Sequence, residues 1–170
     1  MSEFRKRGYL TQEEAMSLAS YPSQERMEKG PVAVIECPEG IPCNPCQCAC
    51  PHQAITVGTP ITNLPALDVA KCVGCGLCIA HCPGQAIFVV DMSGEQATVS
   101  LPYEFLPMPQ KGEQVPVLDR EGRQAGMGTV IRVLNPTSFD RTAVVTVAVD
   151  KELAHRVRAI ERRREHVPEC

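Results

Sequence analysis

The sequence predicts an α+β protein with two structural units that are stabilised in different ways. Nine of its ten cysteines lie between Cys37 and Cys82, so the first unit is expected to depend on cysteine ligands. Beyond them, short β-branched runs alternate with turn residues, which predicts a small all-β unit of barrel type. A chain of 170 residues suits two such units better than one large core.

Changes in composition define the predicted domain boundaries. The chain divides into an N-terminal helical extension at 1–30, a cysteine-containing domain at 31–101, a small all-β domain at 102–150, and a C-terminal helix and tail at 151–170. Pro102, Pro107 and Pro109 are expected to form a stiff connection between the cysteine-containing domain and the all-β domain.

Two short helices are predicted in the N-terminal extension. Thr11 and Glu14 have the spacing of a capping box, and Tyr21-Pro22 ends the first helix. Ser23 caps a second helix that runs through Lys29. We expect this extension to be either a strap over the cysteine domain or a docking arm for another subunit.

A dense cysteine motif stands at residues 72–83, which read CVGCGLCIAHCP. This C-x-x-C-x-x-C-x-x-x-C-P run binds iron–sulfur clusters in bacterial proteins. Gly74 and Gly76 permit the backbone angles that a tight ligand loop needs. In proteins with two clusters the fourth cysteine, here Cys82, binds the other cluster. A second site is therefore predicted.

That second site lies 32 residues earlier. The shift places Cys75 on Cys43, Cys78 on Cys46, Cys82 on Cys50 and Pro83 on Pro51. Gln-Ala-Ile also recurs after each Cys-Pro pair and one further residue. Such self-similarity indicates a duplicated unit, each half of which is expected to form a ligand loop, a short helix and an apolar strand.

From about Val32 to Val90 the chain resembles the bacterial two-[4Fe-4S] ferredoxin family. The resemblance implies the pseudo-twofold dicluster ferredoxin fold and two [4Fe-4S] clusters. It implies the ligands Cys37, Cys43, Cys46 and Cys82 for cluster one, and Cys72, Cys75, Cys78 and Cys50 for cluster two.

One ligand position departs from the family pattern. Gly40 stands 32 residues before Cys72, and the nearest candidate ligand is Cys37, three residues earlier. A longer loop would let Cys37 reach its iron; if Cys37 does not bind, a [3Fe-4S] cluster is the alternative.

Other cysteines and histidines nearby are not expected to bind iron. Cys48 aligns with Ala80 and is expected to be a small buried residue beside a cluster. His52 and His81 are expected at the surface or behind the ligands. Zinc is the rival metal, but zinc knuckles need neither a Cys-Pro ligand nor an exchange of ligands between halves. The residues expected to keep the clusters dry are Ile41, Ile55, Leu77, Ile79 and Ile87.

The region around the cysteines is acidic. Residues 31–100 contain one base, Lys71, against Glu36, Glu39, Asp68, Asp91 and Glu95. This balance disfavours nucleic acid and suits a basic protein partner. The sequence shows neither the apolar core of a signal peptide nor a run that could span a bilayer, which predicts a cytoplasmic protein.

The remaining chain predicts strands over 114–118, 129–134 and 143–149, with a hairpin turn at 91–95. Gly126-Met-Gly128 is expected to form a bulge or a barrel corner. Asp150 is expected to cap a last helix from Lys151 to about Glu165, with Leu153, Val157 and Ile160 on its apolar face.

No set of catalytic side chains stands out, so the predicted function is electron transfer without catalytic residues. The whole layout resembles the small iron–sulfur subunits of flavin dehydrogenases that act on proline, hydroxyproline or related amines. The resemblance implies flavoprotein dehydrogenase partners that alone carry FAD or FMN, and it allows a [2Fe-2S] subunit as well. The alternatives are a freestanding ferredoxin that shuttles electrons and a regulatory protein that senses oxygen or iron.

Overall fold

A computed structural model describes residues 3–162 of the chain. Its helices are α1 Glu3–Arg7, α2 Gln12–Met16, α3 Gln24–Glu28, α4 Pro45–Cys48 and α5 Leu77–Ala80. Its strands are β1 Val32–Ile35, β2 Ile55–Thr56, β3 Ala66–Leu67, β4 Ile87–Asp91, β5 Ala97–Tyr103, β6 Gln114–Leu118, β7 Gln124–Leu134, β8 Ala143–Val149 and β9 Ala159–Ile160. Short 3₁₀ turns occupy Thr137–Phe139 and Lys151–Leu153.

Most strands join one antiparallel sheet in the order β1-β4-β5-β8-β7-β6-β9, while β2 and β3 pair separately. The mixed α and β content and the predicted strands are confirmed. The barrel-like form is wrong, because within residues 3–162 the sheet is open and its edge strands, β1 and β9, do not pair with each other.

The sheet continues across the predicted boundary between residues 101 and 102, which falls inside β5. β5 pairs with β4 on one side through three residue pairs and with β8 on the other through seven. Strands from the cysteine-containing part and from the all-β part therefore share one hydrogen-bonded sheet. That residues 102–150 form a domain of their own remains a prediction.

The N-terminal extension packs against the sheet as a strap would. The Thr11 capping box and the Ser23 cap are present as predicted, although α2 ends at Met16 and α1 was not predicted. Met27 of α3 is fully buried, and its carbonyl accepts a hydrogen bond of 2.9 Å from the backbone N–H of Met92.

The predicted C-terminal helix is wrong over its described part. Residues 151–153 form a 3₁₀ turn, and the chain then extends into β9, which pairs with β6. Val157 and Ile160, which suggested an apolar helix face, are both buried, Val157 between the turn and β9 and Ile160 within β9. Pairing with the open edge of β6 satisfies backbone groups that a helix would leave exposed there. The predicted helix residues 163–165 and the tail lie outside the described residues.

Gly126 and Gly128 lie inside β7 of an open sheet and not at a barrel corner, but the predicted bulge is present directly beside Gly126. There Val117 of β6 pairs with Gly126 and Leu118 pairs with Gln124, so Ala125 is the extra residue; a second register shift lies between Val130 and Arg132. A Cβ atom on Gly128 would lie 2.8 Å from a methyl of Val117. The glycine is therefore needed for close packing between strands.

Two apolar clusters share β1 and β4. Val32 and Val34 of β1 belong to the larger cluster, with the inner residues of β5 to β9, whereas Ala33 and Ile35 face the smaller cluster with Cys46 and Cys78. This alternation follows the two-residue period of a strand. The cysteines thus lie on one face of the β1–β4 pair. No helix within residues 3–162 has the length and hydropathy needed to cross a membrane.

Candidate iron–sulfur site

Two cavities lie on the cysteine-bearing face of the β1–β4 pair. The first has a volume of about 580 Å³ and is lined by Cys37, Cys43, Cys46 and Cys82. The second is narrow, about 20 Å³, and is lined by Cys50, Cys72, Cys75 and Cys78. The structure thus brings the eight predicted ligand residues together in two sets of four, and each set takes one cysteine from the other half of the repeat.

The two exchanged cysteines are presented by the same turn. Gln53 and Gln85, three residues after Cys50 and Cys82, both have φ of 50°. The following N–H groups point back at sulfur: Ala54 N–H lies 3.3 Å from Cys50 Sγ and Ala86 N–H lies 3.4 Å from Cys82 Sγ. The repeat in sequence is therefore also a repeat in backbone conformation.

A third cysteine sulfur, that of Cys72, accepts a hydrogen bond from a backbone N–H of β1. The N–H of Ala33 lies 3.3 Å from Cys72 Sγ. Hydrogen bonds to sulfur favour the thiolate form, which is the form that binds metal. Four thiols, backbone donors and an apolar wall suit an iron–sulfur cluster. Within residues 3–162, no three Cys, His, Asp or Glu side chains lie close enough together to hold a single metal ion.

Burial raises the pKa of the inner thiols, and neighbouring thiols raise it further. The pKa of Cys78 is raised to about 12 by burial and then by the charges of Cys72, Cys75 and Cys50. The pKa of Cys46 is raised to about 11 by burial, with a contribution from Cys82. Without metal these thiols hold their protons, so cluster binding must release them.

The loop before α5 needs glycine at two positions, as the sequence predicts. Gly74 and Gly76 have φ of 66° and 82°, which residues with a Cβ atom rarely adopt. Only Gly74 is also crowded, because a Cβ atom there would lie 2.5 Å from Cβ and 2.8 Å from the backbone carbon of Pro31. At Gly76 the nearest atom is a methyl of Ile79 at 3.8 Å.

We expect Gly74→Ala to prevent assembly of cluster two and Gly76→Ala to be milder. Both changes carry the cost of the left-handed conformation, about 1–2 kcal/mol, but only Gly74→Ala also pushes Cys72 and Cys75 away from their cavity by collision with Pro31. Iron content and cluster absorbance of the two variants test this. Equal iron loss would show that backbone conformation, not contact with Pro31, limits the loop.

Several residues near the cavities differ from expectation. Cys48 is exposed and lines neither cavity, so its expected burial is wrong. Among the expected apolar residues, Ile55, Ile79 and Ile87 are buried, whereas Ile41 is 51% exposed at the rim of cavity one. His81 is exposed, which agrees with its expected place at the surface, and its ring packs against that of Phe139 with 6.4 Å between the ring centres.

A buried ionic network beside cavity one was not predicted. Glu36, the residue before Cys37, accepts hydrogen bonds from two arginines: Arg120 Nε at 2.8 Å and Arg158 Nε at 2.7 Å. The side chain of Glu36 is only 6% exposed. Burial raises the pKa of its carboxyl, but the hydrogen bond from Arg120 and the charges of both arginines outweigh burial and hold the pKa low. No local pattern signals this network, because its members are 84 and 122 residues apart.

Comparison with known families finds a match around the second ligand loop. Residues 65–88 match the 4Fe-4S binding domain family, and the match includes Cys72, Cys75, Cys78 and Cys82. The chain contains a 4Fe-4S binding domain. This domain indicates a [4Fe-4S] cluster and supports a role in electron transfer in place of catalysis.

One curated relative is Protein Pixie of Drosophila melanogaster, 29% identical over 84 residues. The aligned part is 45% of this chain but only 13% of Pixie, so the chain spans a small fraction of that protein. No solved structure matches.

Proposed function

We propose that this protein is the electron-transfer subunit of a flavin-dependent amino-acid dehydrogenase and carries two [4Fe-4S] clusters. The observation that carries the proposal is the pair of four-cysteine cavities on one face of the β1–β4 pair. Cavity one includes Ile35 and Ile87, and cavity two includes Ala33 and Val89, which lie further along the same two strands.

Each cluster would be held by the four cysteines of one cavity, with ligands as the family resemblance implies. When bound, the clusters supply reversible one-electron chemistry. The protein's own part is to position the thiolates, to donate N–H groups to Cys50, Cys72 and Cys82, and to exclude water with Ile79 and Ile87.

A flavoprotein suits the role of electron donor, because a flavin that has taken a hydride from an amine must release two electrons one at a time to such clusters. The layout of the chain resembles subunits of proline and hydroxyproline dehydrogenases, and we place the complex in the cytoplasm. An exposed apolar residue at the rim of cavity one also suits protein docking: Ile41 lines this cavity and is 51% exposed.

The test uses iron-loaded protein and the flavoprotein encoded beside it. Alone, the protein should be reduced by dithionite and should be inert toward proline and other amines. With the flavoprotein, its clusters should be reduced when the amine is added. Oxidation of an amine by this chain alone would contradict the proposal. Failure to bind any flavoprotein from its host would instead favour a freestanding ferredoxin.

A rim variant locates the docking surface in the same assay. We expect Ile41→Glu to slow reduction by the flavoprotein at least tenfold while reduction by dithionite is unchanged, because a charge there interrupts the apolar rim. The matched control is Met127→Glu, a similarly exposed apolar residue on β7 that lines neither cavity. Equal slowing by both variants would argue against docking at cavity one.

A further inference from the structure

The wall of cavity one carries an excess of buried positive charge. Arg120 and Arg158 line this cavity with Glu36, and their side chains are only 8% and 4% exposed. Two guanidinium groups and one carboxylate give the network a net charge of +1. The other charged pair on the wall, Arg5 with Glu39 at 2.9 Å, is neutral as a pair and more exposed.

The network is held rigidly by groups other than the cluster ligands. Arg120 Nη1 donates to the carbonyl of His155 at 2.9 Å, and Arg158 Nη1 donates to the carbonyl of Val157 at 2.5 Å. The guanidinium of Arg158 also lies 5.0 Å from the centre of the Phe88 ring. Both arginines thus have fixed positions, and no side-chain rotation is needed to bring their charge to the cavity.

We propose that the Glu36–Arg120–Arg158 network tunes the redox potential of cluster one by holding a net positive charge at its cavity wall. The proposal rests on the two-cluster function above. Adding an electron makes a cluster more negative, so a fixed positive charge nearby stabilises the reduced form and raises the reduction potential. Because the charges are shielded from water, the interaction is strong and little screened by salt.

A different arginine, Arg26, lies beside the ligands of cluster two. Arg26 Nη2 donates to the carbonyl of Cys72 at 2.7 Å, and Arg26 Nε donates to the carbonyl of Val69 at 2.9 Å. Arg26 is half-buried and lines neither cavity. It therefore serves as a matched control, because it is an arginine beside the ligands of cluster two that is more exposed to solvent than Arg158.

The experiment is a potentiometric titration of the iron-loaded full chain and its variants, followed by electron paramagnetic resonance. A Cys43→Ser variant, which changes a ligand of cluster one alone, assigns the two signals. We expect Arg120→Gln to shift the potential of cluster one downward and Glu36→Gln to shift it upward, with cluster two unchanged in both. Arg120→Lys, which keeps the charge, should stay near the original potential. Arg26→Gln should lower the potential of cluster two by a smaller amount.

Opposite shifts confined to cluster one would support the proposal, because a purely structural role would move both variants in the same direction. Shifts of the same sign in Arg120→Gln and Glu36→Gln, or no shift in these two variants when they keep full iron, would overturn it. These outcomes differ from failure of the proposed function, in which the unmodified protein would lack two reducible clusters or would bind zinc. If Arg120→Gln loses iron, the test is the comparison of Glu36→Gln with Arg120→Lys: an upward shift in the first and none in the second supports the proposal, and equal potentials in both overturn it.

Discussion

Replacing Cys46 with alanine should reduce the iron of the anaerobically purified protein from about eight to about four per chain, whereas Cys48→Ala should keep all of it. The two cysteines stand two residues apart on α4, so the pair is well matched. Cys46 is buried at 9% exposure and lines cavity one, while Cys48 is exposed and lines neither cavity. Iron and sulfide analysis, with electron paramagnetic resonance spectra of the reduced protein, measures the difference in cluster content between the two variants.

Cys46→Ala should also lower the free energy of unfolding. Without cluster one, Cys82 no longer ties the second half of the repeat to the first. Metal binding to such a site contributes directly to the free energy of folding. Loss of iron in Cys48→Ala would show that the ligand set is wrong. Stoichiometric zinc, or near four iron in the unmodified protein, would exclude two clusters. Three-iron signals in the unmodified protein would show that Cys37 is not a ligand.

Local patterns account for what the sequence predicts correctly. The 32-residue repeat predicts the two ligand turns, and the structure adds that Gln53 and Gln85 share the same positive φ. Thr11 predicts its helix start because a capping box involves residues only three positions apart. Strand β8 is predicted from a run of seven consecutive small or β-branched residues, and the structure buries all seven.

The features that sequence reasoning missed depend on contacts between distant residues. Val157 and Ile160 have helical spacing, but the open edge of β6 recruits this segment as a strand. The buried pair of Glu36 and Arg158 joins residues 122 positions apart. Neither arginine of that network stands in a motif. A charge count over residues 31–100 includes Glu36 as one more acidic residue. Its two arginine partners lie outside this range and make the local net charge positive.

Continuity of the sheet leads to an expectation about fragments. A fragment of residues 103–162 should be unfolded, whereas residues 94–162 should fold without iron. The shorter fragment loses nearly all of β5, including Val99 and Leu101, which are 0% and 1% exposed. Burial of two such side chains contributes about 3–6 kcal/mol, a large share of the roughly 5–15 kcal/mol that stabilises a typical domain. It also loses six of the seven residue pairs between β5 and β8 and keeps only that of Tyr103 with Ala143.

The longer fragment keeps β5 and breaks only its three pairs with β4, so only three residues of β5 lose a strand partner. Dispersion of amide signals in nuclear magnetic resonance spectra, together with urea titrations, compares the two fragments. A well-dispersed spectrum for residues 103–162 would support the predicted boundary at residue 102 and show that β5 is not needed. Disorder in both fragments would show that β1, β4 and the cysteine loops are required as well, because the larger apolar cluster includes residues of β1 and β4.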